Sequence, residues 1–411
     1  MSPTVTQRRL DVLSLATFVA LGLPDGMLGT AWPAMRVSLH APVSYLGLIL
    51  VGATVGSVAI TAFIGRILRR TGVARPLAAG LGCAAVAAAG FALAPAIGVV
   101  IGIAVLFGLA AGTLDGGLNT AIGLSGRGRL LNLLHGFYGI GTAIGPLVVT
   151  IAIVSGSWRP AYYFLLVVDL ALAGLWAWHG RPGADPGQAG PVQAGPVTTA
   201  PGPAGPAQPA ADRAAGPPAE GWPRAVRAAV VTGIAVFFVY TGLEVAAGQW
   251  ETTYGRGQLH LSATPAGLAT FGYWAALTAV RIGLALPRRP PPSQRVVRWG
   301  SVVALVATVI IWWQPAVIVT VLAFVLLGGA LAGIFPALIA LTPSRLGHER
   351  AQHVIAWQVG AAAAGAAGIS ALVGLAIGLR GLAVLGPSLV ALATLLVLTE
   401  LLLSRLAPLR G

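Results

Sequence analysis

The chain has 411 residues, of which 56% are hydrophobic and 9% are charged. A soluble globular chain carries about 25% charged residues, so this composition excludes an ordinary water-soluble domain and fits a surface that faces lipid. The formal net charge of +14 comes entirely from arginine, because the sequence contains no lysine. The arginines lie between long apolar segments, where basic residues set membrane topology. We therefore expect the lipid bilayer, and no nucleic acid, as a partner.

Long apolar segments predict twelve transmembrane helices, since a helix needs about 20 residues to cross a bilayer. The first segment contains Asp25 and lacks a small-residue cleavage site, so it predicts a membrane helix and not a signal peptide. Cys83 is the single cysteine, which excludes an internal disulfide. In chain order the predicted spans are 11–34, 43–67, 76–97, 99–124, 131–155, 160–179, 224–252, 264–286, 296–313, 315–341, 351–377 and 381–405.

The distribution of arginine supports the even number of helices. With the N-terminus in the cytoplasm, 20 arginines fall on the inner side and 4 on the outer side. Basic residues concentrate on the cytoplasmic side of membrane proteins, so we expect both termini in the cytoplasm. The outer arginines are Arg36, Arg159, Arg256 and Arg380.

Residues 181–222 differ from the rest of the chain. This segment is rich in proline, glycine and alanine and shows no apolar periodicity, so it is too poor in large apolar side chains to fold alone. We interpret it as a flexible cytoplasmic linker. The predicted domains are a six-helix bundle at 1–180, the linker, and a second six-helix bundle at 223–411.

An internal repeat relates the two predicted bundles. Shifting the sequence by 220 residues aligns identical residues in spans one and seven, four and ten, and five and eleven. One offset that serves three pairs of spans indicates two related halves. Two parallel six-helix halves joined by a cytoplasmic loop are the architecture of major facilitator transporters. Aligned pairs include Phe18 with Phe238, Val105 with Val325, Gly108 with Gly328 and Gly145 with Gly365.

Two short motifs resemble signatures of the major facilitator family. In the loop after the second span, Gly65, Arg70 and Gly72 match the family pattern, while Arg69 stands where the family has an acid. In the fifth span, Gly141, Gly145 and Pro146 resemble the family's glycine-proline signature. The resemblance implies roles in conformational change. The alternatives are a basic loop that only fixes topology and glycines that only allow close packing.

Polar side chains inside the predicted spans are candidates for a central cavity, because a charge at mid-bilayer costs roughly 2.5–3.5 kcal/mol on insertion scales. We expect three acids, Asp25, Asp115 and Glu244, to carry protons. Some of these groups could instead form internal ion pairs, such as Arg281 with a carboxylate. Asp169 and Glu400 are expected at the periphery. The residues expected to bind substrate are Asn119, Asn132, His135, Tyr138, Tyr240, Gln249, Trp250, Trp274, Arg281, Trp357 and Gln358.

A closer resemblance rests on the fourth and fifth spans. The segment from Leu114 to Asn119, followed by Leu131-Asn132-Leu133-Leu134-His135, is similar to the fucose–galactose–glucose:proton symporter family. The segment Tyr240-Thr241-Gly242-Leu243-Glu244 resembles bacterial members of the same group. The resemblance implies that Asp115 is the proton-carrying acid. It also implies that Asn119 is the amide that follows this acid, and that His135 takes the place of a sugar-contacting glutamine.

We therefore expect an all-α integral membrane protein with the major facilitator fold, located in the bacterial cytoplasmic membrane. It would move a small polar solute, for example a sugar, by proton-coupled alternating access. The proton gradient would supply the energy, with no cofactor and no metal, and the protein would act as a monomer.

The alternative within transport is a proton-driven efflux antiporter for a drug or secondary metabolite, since three cavity acids would suit a cationic substrate. A nutrient sensor built on a transporter scaffold would bind its ligand without moving it. A membrane enzyme is not expected, because the sequence contains no HExxH, GxSxG or nucleotide-binding loop.

Overall fold

The computed structural model describes residues 5–125, 127–179, 222–287 and 291–408. Except for Trp222, the predicted linker lies outside these ranges. The described residues form thirteen α helices, because backbone polar groups in lipid must be satisfied within the segment itself. The helices are α1 Val5–Ser38, α2 Tyr45–Thr71, α3 Ala74–Leu93, α4 Ile97–Leu124, α5 Gly128–Val154, α6 Arg159–His179, α7 Arg224–Gly257, α8 Ala263–Ala285, α9 Ser293–Trp313, α10 Val317–Leu331, α11 Ile334–Leu346, α12 His348–Arg380 and α13 Leu385–Leu406.

Twelve segments among the described residues are long and apolar enough to cross a membrane, which confirms the predicted number. Helices α10 and α11 together form one of these segments, Val317–Leu346. Several helices extend beyond the predicted bounds. For example, α1 begins at Val5 and α7 ends at Gly257, because apolarity marks only the part of a helix that lies in lipid.

The break between α10 and α11 has a local cause. Pro336 lies in the first turn of α11 and has no N–H to bond the carbonyl four residues earlier, that of Ala332. The carbonyl of Ala332 instead accepts from Nε of Arg281 at 3.0 Å. The carbonyl of Leu331, at the end of α10, lies 3.1 Å from the hydroxyl of Tyr240. The proline thus frees the carbonyl of Ala332, which the side chain of Arg281 on α8 satisfies.

Helix packing repeats at the same offset of 220 residues that relates the two sequence halves. Close contacts between α2 and α4 recur between α8 and α10, where glycines let the helices approach. The matched contacts are Gly52 on Val105 with Gly272 on Val325, and Gly108 on the backbone of Ala53 with Gly328 on the backbone of Tyr273. The internal repeat therefore extends from identical residues to equivalent helix crossings.

The chain divides into two compact units. The first contains 1–24, 52–141 and 159–211, and the second contains 25–51, 142–158 and 212–411. Three of their limits fall inside α1, α2 and α5, whereas the predicted domains meet only at the linker. The second unit thus includes the C-terminal part of α1 packed on α7. The domain boundaries at 180 and 223 remain predictions.

Candidate proton and substrate sites

The first unit brings three of the predicted site residues together. Asp115 and Asn119 lie one turn apart on α4, and Nδ2 of Asn119 donates to Oδ1 of Asp115 at 2.8 Å. His135 of α5 lies close enough to interact electrostatically with Asp115. Asp115 is exposed, while Asn119 and His135 are half-buried. A carboxylate with an amide and an imidazole beside it can exchange a proton and bind a hydroxyl group.

Apolar packing fixes this group of residues. The ring of His135 meets the ring of Phe18 edge to face, with centroids 5.9 Å apart. Phe18 belongs to a buried cluster that includes Leu114 and Leu134, which flank Asp115 and His135 in sequence. Tyr138 is half-buried and packs on the same cluster. The side chain of Asn132 lies outside the described residues.

An ion pair at the start of α1 was not predicted from the sequence. Nη1 of Arg127 donates to Oδ1 of Asp11 at 2.8 Å, and Nη2 contacts the other carboxylate oxygen. Hydrogen bonding to the Asp11 carboxylate raises the pKa of Arg127. The partners are 116 residues apart, so no short motif could have paired them. This two-bond ion pair links α1 to the loop that precedes α5.

The second unit holds Glu244 in a different environment. Nη2 of Arg281 lies 3.6 Å from Oε2 of Glu244, and the hydroxyl of Tyr240 donates to the same carboxylate. The hydroxyl of Tyr273 donates to the backbone carbonyl of Glu244 at 2.8 Å. The pairing of Arg281 with a carboxylate was the alternative that the sequence left open. It makes Glu244 a carboxylate with a fixed cation, which speaks against its predicted proton-carrying role.

Aromatic side chains surround this ion pair. Trp274 is buried and meets Tyr273 edge to face, with ring centroids 4.9 Å apart. A side chain at Gly248 would overlap the indole of Trp274, so that glycine lets α8 approach α7. Tyr240 and Arg281 both contact the carboxylate of Glu244, and Trp274 packs on Tyr273. Their role in substrate binding remains a prediction.

Three other predicted site residues contribute to packing between helices. Nε2 of Gln249 donates to the backbone carbonyl of Asp25 at 2.7 Å, and Gly29 of α1 approaches the backbone of Gln249 closely. The indole of Trp250 is fully buried and donates to the carbonyl of Ser370 at 3.0 Å. Asp25 itself is exposed. Gln249 and Trp250 thus join α7 to α1 and α12 in this structure.

Trp357 and Gln358 lie apart from the ion pair of Glu244 and Arg281. Trp357 is 46% exposed and its ring lies 6.3 Å from that of Trp222. Gln358 is buried, and its Oε1 accepts from the hydroxyl of Thr342 at 3.1 Å. Gln358 lines a small pocket together with Arg345. The structure does not bring these two side chains to Glu244 and Arg281.

Asp169 and Glu400, which the sequence places at the periphery of the expected cavity, are buried in the helix packing. The two residues are only 2% and 4% exposed. Oε1 of Glu400 lies 3.7 Å from Nη2 of Arg345 and accepts from the hydroxyl of Ser404. A helix that faces lipid on one side still buries the other side, and the span pattern alone did not show which side each acid occupies.

The first family-like motif, which contains Gly65, Arg70 and Gly72, lies at the C-terminal end of α2. Gly72 has φ of +73°, and its N–H bonds to the carbonyl of Leu68 at 3.0 Å. This is the left-handed cap that glycine adopts without strain at a helix end. Arg70 is exposed and Gly65 is half-buried. Helix termination accounts for Gly72, and a role of the motif in conformational change remains a prediction.

The residues of the second motif pack tightly inside α5. Gly141 approaches the backbone of Val19 on α1, and Gly145 is buried. The carbonyl of Pro146 accepts from the hydroxyl of Thr150 at 2.6 Å. Close packing therefore accounts for Gly141, while a role of Pro146 in helix movement remains a prediction.

Glu251 is a buried acid that the sequence interpretation passed over. It is 2% exposed, and among the described residues neither carboxylate oxygen has a hydrogen-bond partner of ordinary geometry. A signal was available, since Glu251 follows Glu244 by seven residues and shares its face of α7. It was missed because it stands at the predicted end of the seventh span, where a charge is unremarkable.

Comparisons with known proteins give a family match and several fold matches. The sequence model of the Major Facilitator Superfamily matches residues 13–371. No curated protein sequence matches significantly. A D-xylose-proton symporter structure superposes with a TM-score of 0.74 at 13% identity, covering 98% of both chains. The nucleoside transporter NupG gives a TM-score of 0.68 at 13% identity, covering 97% of this chain and 99% of that one. The E. coli fucose:proton symporter FucP gives 0.58 at 15% identity, covering 96% and 98%.

Proposed function

The chain belongs to the major facilitator superfamily of membrane transporters, and we propose that it is a secondary active transporter that couples a small polar solute to protons. The observation that carries the proposal is the environment of Asp115. This carboxylate lies within a membrane span, is exposed, and has a neutral amide at 2.8 Å. Such a group can gain and lose a proton without breaking an ion pair with arginine.

The proposed cycle follows from the cost of charge in a dry environment. Asp115 takes up a proton from the outer side, which removes a charge that would resist passage through an occluded state. The two six-helix halves then rock about the solute. Release of the proton to the cytoplasm restores the charge and resets the cycle. Asn119 and His135 hold the solute or the carboxylate by hydrogen bonds.

The proposed substrate is a polar molecule with hydroxyl groups, such as a monosaccharide or a nucleoside. The amide of Asn119 and the imidazole of His135 offer both donors and acceptors. The solved structures with the same fold include a D-xylose-proton symporter, a nucleoside transporter and a fucose:proton symporter. These names favour a sugar or a nucleoside as the first substrates to test.

The remaining parts of the proposal concern location and assembly. The protein would reside in a bacterial cytoplasmic membrane with both termini inside. It would work as a monomer, with the proton gradient as its energy source and without a cofactor or metal ion. The predicted excess of arginine on one side supports this orientation.

The test is solute uptake into vesicles that contain the purified protein. We expect accumulation of D-xylose, L-fucose or uridine when the proton gradient drives protons in the same direction as the solute. Accumulation in everted vesicles with an acidic interior would instead indicate export by antiport. Asp115→Asn should lose accumulation but retain exchange of labelled for unlabelled solute. Full accumulation by that variant would contradict the assignment of Asp115.

A further inference from the structure

Glu251 occupies an unusual position in the second unit. It lies within a membrane span and is 2% exposed, and both carboxylate oxygens lack a hydrogen-bond partner of ordinary geometry among the described residues. An ionised carboxylate in such a place has a prohibitive desolvation cost unless it is paired. The neutral acid is therefore the form that this packing accommodates.

A chain of threonine hydroxyls leads away from Glu251. Thr270 of α8 is a hydroxyl residue beside the carboxyl group, and its hydroxyl donates to the carbonyl of Ala266 at 3.3 Å. The hydroxyl of Thr270 lies 2.7 Å from that of Thr252 on α7, and the hydroxyl of Thr252 donates to that of Thr30 on α1 at 3.4 Å. Three helices thus contribute one hydroxyl each to a connected path.

The path ends at a cavity. Thr30 and Thr252 line a space of about 340 Å³, together with Ser38, Thr150 and Arg256. Arg256 is one of the arginines that the sequence places on the outer side of the membrane. Pro33, Ala34, Val37, Ile153 and Ala263 complete the lining. The volume is sufficient for several water molecules, which the hydroxyl groups and Arg256 can bind, so the cavity can deliver protons to the hydroxyl path.

Few titratable groups surround Glu251. Tyr273 of α8 interacts with it electrostatically, and beyond Tyr273 lies the pair of Glu244 and Arg281. Helix α1 contributes Asp25, whose carbonyl binds Gln249. Of the other helices that pack on α7, α10 contains no titratable side chain, and the titratable residues of α11, α12 and α13 lie toward their ends, Arg345 in α11, Arg380 in α12 and Glu400 in α13 among them. The cations on α8, α7 and α1 include Arg281, which is paired with Glu244, Arg256, which follows Glu251 by five residues and lines the cavity, and Arg36.

We infer that Glu251 is a second proton-binding site, reached from the cavity through the hydroxyls of Thr252 and Thr270. A hydronium ion in the cavity gives a proton to the Thr252 oxygen, while the original Thr252 hydroxyl proton turns from Thr30 toward Thr270 and passes to the Thr270 oxygen. Thr270 in turn passes its proton to the Glu251 carboxylate, forming an O–H bond there and leaving water in the cavity. The site extends the proposed proton-coupled function, because it lies outside the Asp115 group and would add a proton to the cycle.

The packing of α1 on α7 gives this proton a role. Gly29 lies against Gln249, and Thr30 accepts from Thr252, so the contact covers the region of α7 that contains Glu251. The neutral acid is compatible with this contact. When α1 separates from α7, water reaches Glu251 and the proton can leave. Proton occupancy at Glu251 would therefore favour the packed arrangement.

Infrared difference spectroscopy of the full chain in lipid vesicles tests the inference. A buried protonated carboxyl gives a C=O band that disappears at alkaline pH and shifts in D2O. We expect Glu251→Gln to remove one such band, Glu251→Asp to move it, and Asp115→Asn to leave it in place. A spectrum of Glu251→Gln that equals the parent spectrum would overturn the proton site.

The hydroxyl path has its own control. After a rapid drop in pH, the band should form about tenfold more slowly in Thr270→Val, which corresponds to ~1.4 kcal/mol in the barrier. Thr270→Ser, which keeps the hydroxyl, should form it at the parent rate. Equal rates in both variants would overturn the path through Thr270.

These measurements do not require a transported solute, so they separate the two hypotheses. Loss of the band in Glu251→Gln together with unchanged accumulation in Asp115→Asn would contradict the proposed role of Asp115 and leave Glu251 as a proton site. An unchanged band in Glu251→Gln together with lost accumulation in Asp115→Asn would support the role of Asp115 and overturn the inference about Glu251.

Discussion

The carboxylates of Asp115 and Glu244 occupy opposite electrostatic environments. Asp115 is exposed and bonds a neutral amide at 2.8 Å. Glu244 is only 15% exposed at its side chain and lies 3.6 Å from the guanidinium of Arg281. A carboxylate beside a fixed cation stays charged, whereas one beside neutral donors can change its charge. The comparison shows that acids within the spans differ in whether a cation is fixed beside them, and the proposal assigns proton transfer to the acid without an arginine partner.

The largest expected effect comes from breaking the ion pair of the second unit. Arg281→Gln leaves the carboxylate of Glu244 without its cation, and we expect a loss of about 3 kcal/mol, the low end for a broken buried pair. The double variant Glu244→Gln/Arg281→Gln should recover most of that loss. Thermal unfolding in detergent measures both. Asp115→Asn is the matched comparison and should change stability by less than ~1 kcal/mol, since no arginine loses its partner.

The next prediction concerns the close glycine contacts between helices that recur in both halves of the chain. A methyl group at Gly108 or Gly328 would overlap backbone atoms of the facing helix, so Gly108→Ala and Gly328→Ala should each cost about 2 kcal/mol. Gly102 and Gly329 are controls on the same helices, because a methyl group there meets open space or ordinary contact distances. If Gly108→Ala and Gly328→Ala lost unequal amounts of stability, the repeat would hold for the sequence but not for the energetics of helix packing.

A smaller effect concerns the partner of Asp115. The N–H of Asn119 stabilises the ionised carboxylate, so Asn119→Ala should let Asp115 take up its proton at higher pH. We expect the pH profile of solute accumulation to move upward by about one unit, since a hydrogen bond to a charged group contributes roughly 1.5 kcal/mol. Thr120→Ala, the next position on α4, is the control. A profile that moves downward would contradict the proposed contact.

The smallest effect is expected at the pair of Asp11 and Arg127. Their side chains are 21% and 34% exposed, so water screens the interaction, and Asp11→Asn should cost no more than ~1 kcal/mol. Unfolding experiments at low and high salt give the check. If Asp11→Asn lost more stability than Arg281→Gln, the expected ranking of the two ion pairs would be contradicted.

The sequence predicted the fold because lipid imposes simple rules. Twelve long apolar segments and one offset of 220 residues sufficed for the helix number and the family. The break at Ala332 was not predicted, because Pro336 falls inside a continuous apolar run and its effect depends on Arg281 supplying a donor.

The candidate site was only partly predictable. The spacing of Asp115 and Asn119 placed them on one face of α4, since residues four apart are neighbours on a helix. The partner of Glu244 lies on another helix, and sequence spacing within one helix carries no information about it. Glu251 was overlooked because burial at the end of a span depends on how α1 and α8 pack there. Packing between helices is therefore the part that the sequence alone left open.

The central claim is that protons move through Asp115 and not through the pair of Glu244 and Arg281. The direct test is solute-driven proton flux, measured with a pH-sensitive dye inside vesicles that contain each variant. We predict that Asp115→Asn abolishes the pH change while retaining solute exchange. The double variant Glu244→Gln/Arg281→Gln should retain the pH change. A pH change that persists in Asp115→Asn and disappears in the double variant would contradict the account.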